Sequence, residues 1–564
     1  MHSWQTDQLH SLIAALYLEN FADFRRYCHF SDDQLRIALD ASRTIHLSAT
    51  WQAAAMQPVN ITSDIATLTV EGGEDASLIA LSDVMTVLTS ADWWPVATRS
   101  KALRLWQDAL QGRRAVATFT VGNKTTVTAT TPECSMERLA MQIDRPHHPF
   151  AHAKGKLLPL FTQQSSQVDW WAVPSELVFT KQSSAPATLL LPPAEQAKLT
   201  AALEARLALV PGAEPQAYLA LPALESERPV LAAQKQLLQL DFQSTVPAAT
   251  SSLRSFYYAE QRHLKFATSQ ATLGAKRTMP PRYLHNGDAA YALLQQILNN
   301  DVKLRDSLQL CDERNWWASG AATELIACQG ELAAQLRVFP DTGRASLARF
   351  TMAALNHPDA WQWLNAQGFA VHILWLDLCT AFTQLMLRLW HYGVLPECHG
   401  QNIQIWLDEH QQWRFILRDH DTLRICPTQL KHQQLPVPDY QINWHSPNTL
   451  VLADQTKLLS YFTTLGIQVN LYPIALAISR AGFGNETLFW QHLYQVISDI
   501  SCALPDAAAL EINEALVAAS HWPFKAILTP LLNADEQVTG MPSAITEIAN
   551  PWQKQTRAEA RYAS

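Results

Sequence analysis

Glycine is scarce in this chain, at 18 of 564 residues, less than half the roughly 7% of an average protein. Neither a GxxxxGK[ST] nor a GxGxxG run occurs. Phosphate loops and dinucleotide turns need glycine where the backbone itself must approach phosphate. Both are therefore excluded, and any nucleotide bound here has to be held by side chains.

The rest of the composition describes a folded chain. Hydrophobic residues make up 48% and charged residues 16%, which is the opposite of the signature of disorder. At roughly 150 residues per domain the length allows three or four packing units. A formal charge of -9 gives no global attraction to nucleic acid or anionic lipid, so a bound anion must meet a local cluster of cations. The eight cysteines form no CxxC pair, which argues against a zinc ribbon or a disulfide framework and for a reducing cytoplasm. The N-terminus carries no basic segment followed by an apolar run. The nearest approach to a membrane span, Phe369 to Trp390, contains His372, Asp377, Gln384 and Arg388. It is read as a buried amphipathic helix, with no membrane and no nucleic acid among the expected partners.

Periodicity divides the chain into an α+β order. The first 130 residues or so read as mostly helical, with Leu9, Leu12, Ile13 and Leu16 at helical spacing and a single strand-and-turn at Ile65–Gly73. The middle is sheet-rich, with short β-prone runs around Trp170 and Thr188 cut by prolines, a helix over 194–208, and strand-like alternation from Ser251 to Thr278. From Asp288 helices dominate, interrupted by a hairpin-like pair, Ile403–Leu407 and Trp413–Arg418.

Four clusters could carry chemistry. Arg145 to Lys156 holds six potential cations in twelve residues and reads as an anion cradle, a solvated loop, or a zinc site built on its histidines. Ser251-Ser252-Leu253-Arg254-Ser255, His263-Leu264-Lys265 and Lys276-Arg277-Thr278 set hydroxyls beside cations. On a strand Ser252 and Arg254 would address one ligand, and an arginine fork grips two oxygens at once. The alternative there is a charged, exposed strand face. Third, Glu397-Cys398-His399-Gly400-Gln401-Asn402 is followed after the hairpin by Arg418-Asp419-His420-Asp421. A histidine and two amides, then a short hairpin and an acidic turn, share the logic of the protein-kinase catalytic loop, although no HRD, DFG or Gly-rich loop is present. A satisfied core histidine is the plainer reading of His399. Fourth, Lys525 lies within His521–Leu528, where it either meets an anion or snorkels from a helix flank.

In their order and spacing these segments resemble the IucA/IucC family, the siderophore synthetases that work independently of nonribosomal peptide synthetases. The resemblance runs from about Arg145 to Pro551. The family's HPxHPxxK segment is similar to Arg145 onward, its S-x-R-T strand to Ser252–Ser255, its E-x-H-x-Q-N segment to Glu397–Asn402, its RD turn to Arg418-Asp419 and its KA to Lys525-Ala526. Arg145 replaces the first histidine, His152 a lysine, and Ser255 a threonine, while no arginine follows Lys525-Ala526 before Pro530. The resemblance implies a cupped hand with a helical thumb at 1–144, sheet-rich fingers at 145–375 and a helical palm at 376–564. It implies ATP-dependent adenylation of a citrate-like polycarboxylate, with Mg2+, and transfer to an amine or alcohol by a homodimer. His148, Ser252, Arg254, Ser255, Lys265 and Asn402 would hold ATP, with Asp419 also at the metal. Arg277, His399, Gln401 and Lys525 would grip the acid, with His399, Arg277 and Lys525 acting in catalysis. A kinase-like phosphotransferase and a noncatalytic ligand-binding member are the alternatives.

Overall fold

The computed structural model describes residues 4–31, 33–53, 55–71, 76–117, 132–143, 148–161, 163–181, 184–445, 448–534 and 542–553. Arg145 to His147 of the first cluster fall outside the described residues. The architecture is mixed α and β, with most sheets antiparallel.

The N-terminal part differs from its sequence reading. Helix Trp4–Leu18 packs its Leu9, Leu12, Ile13 and Leu16 face on a five-stranded antiparallel sheet. The strands run in sequence order: Cys28–Ser31, Gln34–Ala38, Arg43–Trp51, Val59–Val70 and Ser77–Ile79. Alternation makes this sheet, because Leu35, Ile37, Ile45, Leu47 and Ala49 all point to the buried face. One strand near Ile65 is thus corrected to a sheet of five, and the residues on its open face are polar enough to hide the pattern.

The middle contains the expected helix, Pro193–Leu207, and, besides a two-stranded ribbon over 268–277, two larger antiparallel sheets. In the first, Ser165–Pro174 lies between Tyr218–Leu224 and Leu238–Pro247. The second orders Asp312–Ser319, Leu332–Val338, Arg262–Phe266 and Ser255–Ala259 side by side. Its register sets Lys265 between Gln335 and Ser255, so residues far apart in sequence meet across neighbouring strands.

The hairpin forms as read, with Ile403 opposite Leu417 and Leu407 opposite Trp413. Ala345–Thr351 and Leu308–Leu310 flank it to complete a four-stranded sheet. Beneath it lies Val371–His391, whose Leu378, Phe382, Leu385, Met386 and Trp390 are in the largest core. This helix and Thr456–Ala481 are long and apolar enough to cross a membrane, yet 61% and 83% of their apolar windows are buried inside the fold. Amphipathic core helices have this composition. The centre of the second, Phe462–Leu471, is wound as a π-helix.

Lys525 lies on a strand, not on a helix flank: His521–Ala526 pairs with Ala544–Ala549. The hairpin is anchored by Trp522, fully buried, whose ring meets Trp552 at 5.0 Å and Trp490 at 5.9 Å edge to face. Truncating so large a buried ring leaves a cavity as well as lost transfer energy. Trp522→Ala should therefore lower unfolding stability by about 3–5 kcal/mol. Trp444→Ala, at a ring 73% exposed, should stay within about 0.5 kcal/mol. Denaturant unfolding of both variants checks this, and equal losses would contradict the anchoring role.

Candidate active site

The strand Trp413–Leu417 ends in a turn whose Asp419 has φ 59 and ψ 57, the left-handed region that few side chains enter. Glu313 holds it there. One carboxylate oxygen accepts the Asp419 N–H at 3.0 Å and the other accepts the His420 N–H at 3.2 Å. Arg337 donates to Glu313 through Nε and to Asp419 Oδ1 through Nη2 at 2.8 Å. Lys265 Nζ donates to the same Asp419 oxygen. Burial alone would raise the Asp419 pKa, but the charges of Arg337, Lys265 and Arg418 hold it well below the usual carboxylate range. Asp421 beside it is pushed up to about 6 by burial, with Asp419 and Glu313 adding to the rise and Lys265 opposing it.

Arg254 joins this group from the other side. Its Nη1 donates to the carbonyls of Arg277 at 2.8 Å and Thr278 at 3.1 Å. Burial presses its pKa down, and the carboxylates of Asp419 and Asp421 offset that. Ser252 and Arg254 do not share a strand face, however. Leu253 has φ 61, so the chain turns here, the Ser255 N–H donates to Ser252 Oγ at 3.2 Å, and the strand begins only at Ser255. A hydroxyl that caps its own turn is what polar residues in such turns ordinarily do. Ser255 then stands opposite Lys265.

The second turn is Glu397 to Asn402. Gly400 is required there, since a Cβ would come within 2.8 Å of both the Ala353 backbone nitrogen and Asn470 Oδ1. Asn402 Nδ2 donates to Glu397 Oε2 at 3.2 Å, and His399 Nε2 stands 3.7 Å from that oxygen. Burial would raise the Glu397 pKa, yet His399 close by and the charges of Arg424 and Lys525 hold it well below the ordinary value. Lys525 thus reaches this turn electrostatically from its own hairpin.

Arg418 fastens the two turns together. Its backbone N–H donates to the Asn402 carbonyl at 3.1 Å, and its Nε to the Gln401 carbonyl at 2.7 Å. Sequence reasoning missed Glu313 and Arg337, which look like ordinary charges on strands. It also missed the π-helix, where Asn470 Nδ2 donates to the Cys398 carbonyl at 3.2 Å and Gln468 Nε2 to the Pro523 carbonyl at 2.8 Å. That helix spans both the His399 turn and the Lys525 hairpin, and a π-helical turn is a recurring mark of functional sites.

Lys265, Arg254, Ser255, Arg277, Asp419, Gln401, Asn402, His399 and Lys525 are therefore linked through two adjoining turns. Two clefts lie nearby. One of about 240 Å³ is lined by Gly287, Asp288, Glu313, Gln335, His420 and Asp421. The other, about 580 Å³, is lined by Asp7, Arg113, His148, His152 and Arg480. His148 is on the wall of this second cleft, where none of the phosphate candidates from Ser252 to Lys265 is among the lining residues. Among the described residues no group of three or more His, Cys, Asp or Glu could hold a metal ion.

Comparison with known proteins bears on the fold and the family pattern. The model of the IucA / IucC family matches residues 161–357, and that of the ferric iron reductase FhuF-like transporter matches residues 374–539. Staphyloferrin B synthase from Staphylococcus aureus (strain NCTC 8325 / PS 47) is 34% identical over 320 residues, 54% of this chain and 54% of that protein. The match thus spans about half the length of that curated relative. Among solved structures, the petrobactin biosynthesis protein AsbB from Bacillus anthracis str. Sterne superposes with TM-score 0.77 at 14% identity, covering 99% of this chain and 96% of that one. The ATP-bound aerobactin synthetase IucA from a hypervirulent pathotype of Klebsiella pneumoniae gives 0.67 at 15% identity, covering 97% and 99%. The aerobactin synthetase IucC from a hypervirulent pathotype of the same species gives 0.70 at 16%, covering 98% and 99%. These structural likenesses extend the shared fold over nearly the whole chain. Over residues 161–357 the chain carries the sequence pattern of the IucA / IucC family, and over nearly its whole length it shares the fold of these synthetases.

Proposed function

We propose that the chain is an ATP-dependent siderophore synthetase. It adenylates a carboxylate of citrate or a citryl derivative and condenses the activated acid with an amine or a hydroxyl. The observation that carries the reading is the Arg418 junction, which joins the Asp419 turn, to which Lys265 reaches, to the turn that bears His399, Gln401 and Asn402. Two polyanions brought into contact repel strongly in a medium less polar than water. Lys265 and Arg254 on one side, and Lys525 on the other, offset that repulsion with side chains alone.

In this reading Lys265, Arg254, Ser252, Ser255 and Asn402 hold the triphosphate, while Arg277, His399, Gln401 and Lys525 orient the acid. Cations aimed at the α-phosphate also stabilise the charge that develops there during displacement. A carboxylate oxygen attacks the α-phosphorus, the bond to the bridging oxygen breaks and pyrophosphate leaves. The nucleophile then attacks the acyl carbon, AMP leaves, and His399 is the residue assigned to take the proton. His148, on the wall of the cleft lined by Arg113 and Arg480, belongs to the phosphate set in this reading as well. Asp419, with Asp421 beside it, suits Mg2+: hard oxygen donors are present, and with no larger protein donor group among the described residues the ion would complete its shell with phosphate oxygens and water. Bound Mg2+ would neutralise phosphate charge.

The same reading takes the chain as a cupped hand of thumb (1–144), fingers (145–375) and palm (376–564). Fingers and palm are joined through the sheet that Ala345–Thr351 shares with the hairpin. It takes the enzyme as a cytoplasmic homodimer acting on small molecules. A turn–hairpin–acidic turn is also kinase logic, and the products separate the two chemistries.

Citrate or a related polycarboxylate should drive exchange of label between pyrophosphate and ATP, with AMP as the nucleotide product. Acid-dependent formation of ADP instead would contradict adenylation. Arg254→Ala and His399→Ala should each lower kcat/KM for ATP-dependent acyl transfer by about 100-fold or more. Steady-state kinetics on folded variants checks this, and a retained rate would refute the assigned roles.

A further inference from the structure

The carboxylates of the two turns answer to different cations. Asp419 is held down chiefly by Arg337, Lys265 and Arg418, and Glu397 by His399, Arg424 and Lys525. Arg424 is the member of the second set that neither the motif nor the roles above include. It lies on the short strand Arg424–Ile425, directly opposite Leu395 and so two residues from Glu397 across the pair.

The guanidinium is 6% exposed and stacks on the Tyr461 ring, with Cζ 3.9 Å from the centroid. Stacking fixes the plane of the fork and leaves its edge for hydrogen bonding. Among the described residues that edge is barely used. Nη1 makes a 3.4 Å contact with the Thr422 carbonyl, and Nε is buried without a hydrogen-bond partner. Glu397 does not satisfy it, because its Oε2 receives Asn402 and faces His399, and Arg424 acts on it through charge without a hydrogen bond. A buried cation with unspent donors is costly unless an anion meets it.

We propose that Arg424, on its Tyr461 platform, binds a non-reacting carboxylate of the polycarboxylic substrate and so sets selectivity for acids with more than one carboxylate. The inference rests on the carboxylate-activating function proposed above. A planar carboxylate matches the Nε–Nη edge in two parallel bonds, which a lysine at this position would not reproduce. Arg424 is a binding residue: it grips the acid away from the reacting oxygen and takes no part in the displacement.

The test compares wild type with Arg424→Met and Arg424→Lys, using citrate as the probe in pyrophosphate exchange and in calorimetric titration. Loss of a charge-assisted bidentate contact should raise the citrate KM about tenfold or more, with the lysine variant intermediate. The KM for ATP and the Tm should hold near wild type. An unchanged citrate KM in Arg424→Met, with exchange intact, would overturn the role of Arg424 and leave carboxylate activation standing. A rise in the ATP KM equal to that for citrate would mark a structural residue and equally overturn it. Wild type that neither binds citrate nor supports exchange with it would remove both readings for this acid and, with it, the proposal. Should Arg424→Met not fold, Arg424→Lys, which keeps the charge but not the fork, decides on the same criteria.

Discussion

Glu313 is the residue on which the geometry of this site depends. It is 6% exposed and spends both oxygens on consecutive backbone N–H groups of the turn whose Asp419 lies in the left-handed region. A buried carboxylate of this kind is expensive in isolation and tolerable because Arg337 meets it. Such networks add little net stability, yet removing one partner strands the others at a cost of about 3–5 kcal/mol. The value of the arrangement is positional. It fixes Asp419 so that Lys265 and Arg337 converge on one oxygen, and it leaves Asp421 in a neighbouring cleft.

A glycine-poor chain has consequences for how charge must be managed. Backbone amides at a phosphate loop are neutral dipoles and need no counter-charge when the ligand leaves. Lysine and arginine do, and their partners within the chain are the Asp419 carboxylate for Lys265 and main-chain carbonyls for Arg254. The two cation sets around Asp419 and Glu397 stay distinct because Arg418 lies between the turns and spends its Nε on a carbonyl. A triphosphate and a polycarboxylic acid would each find its own cluster, with the junction bringing them side by side.

Local signals were legible in the sequence and register was not. The hairpin from Ile403 to Leu417, the helix near 194–208 and the polar turns at His399 and Asp419 each announce themselves through alternation, periodicity or dense polarity. Glu313 and Arg337 do not, since a charge on a strand reads as a solvent-facing residue until the fold brings the two into an ion pair. Ser252 and Arg254 were legible as ligand-type residues, but their strand geometry failed at Leu253, an apolar residue in a conformation that its chemistry does not advertise. The N-terminal sheet was missed for the opposite reason. Its alternation is present, but it is diluted by polar residues on the open face and by a bulge in the register near Leu47 to Ala49. In the π-helix a Cβ on Gly466 would meet Cys398 Sγ at 3.3 Å and Asn470 donates to the Cys398 carbonyl, contacts that no local pattern announces.

The central claim is that cationic side chains around two joined turns direct a carboxylate oxygen onto the α-phosphorus of ATP. The most direct test follows that oxygen. With citrate carrying isotopically heavy oxygen in its carboxylates, turnover in the presence of a nucleophile should deliver a single heavy atom into AMP, because the attacking oxygen departs with the nucleotide when the amide or ester forms. Heavy oxygen recovered in inorganic phosphate, with unlabelled nucleotide, would place the attack on the terminal phosphate and contradict the account.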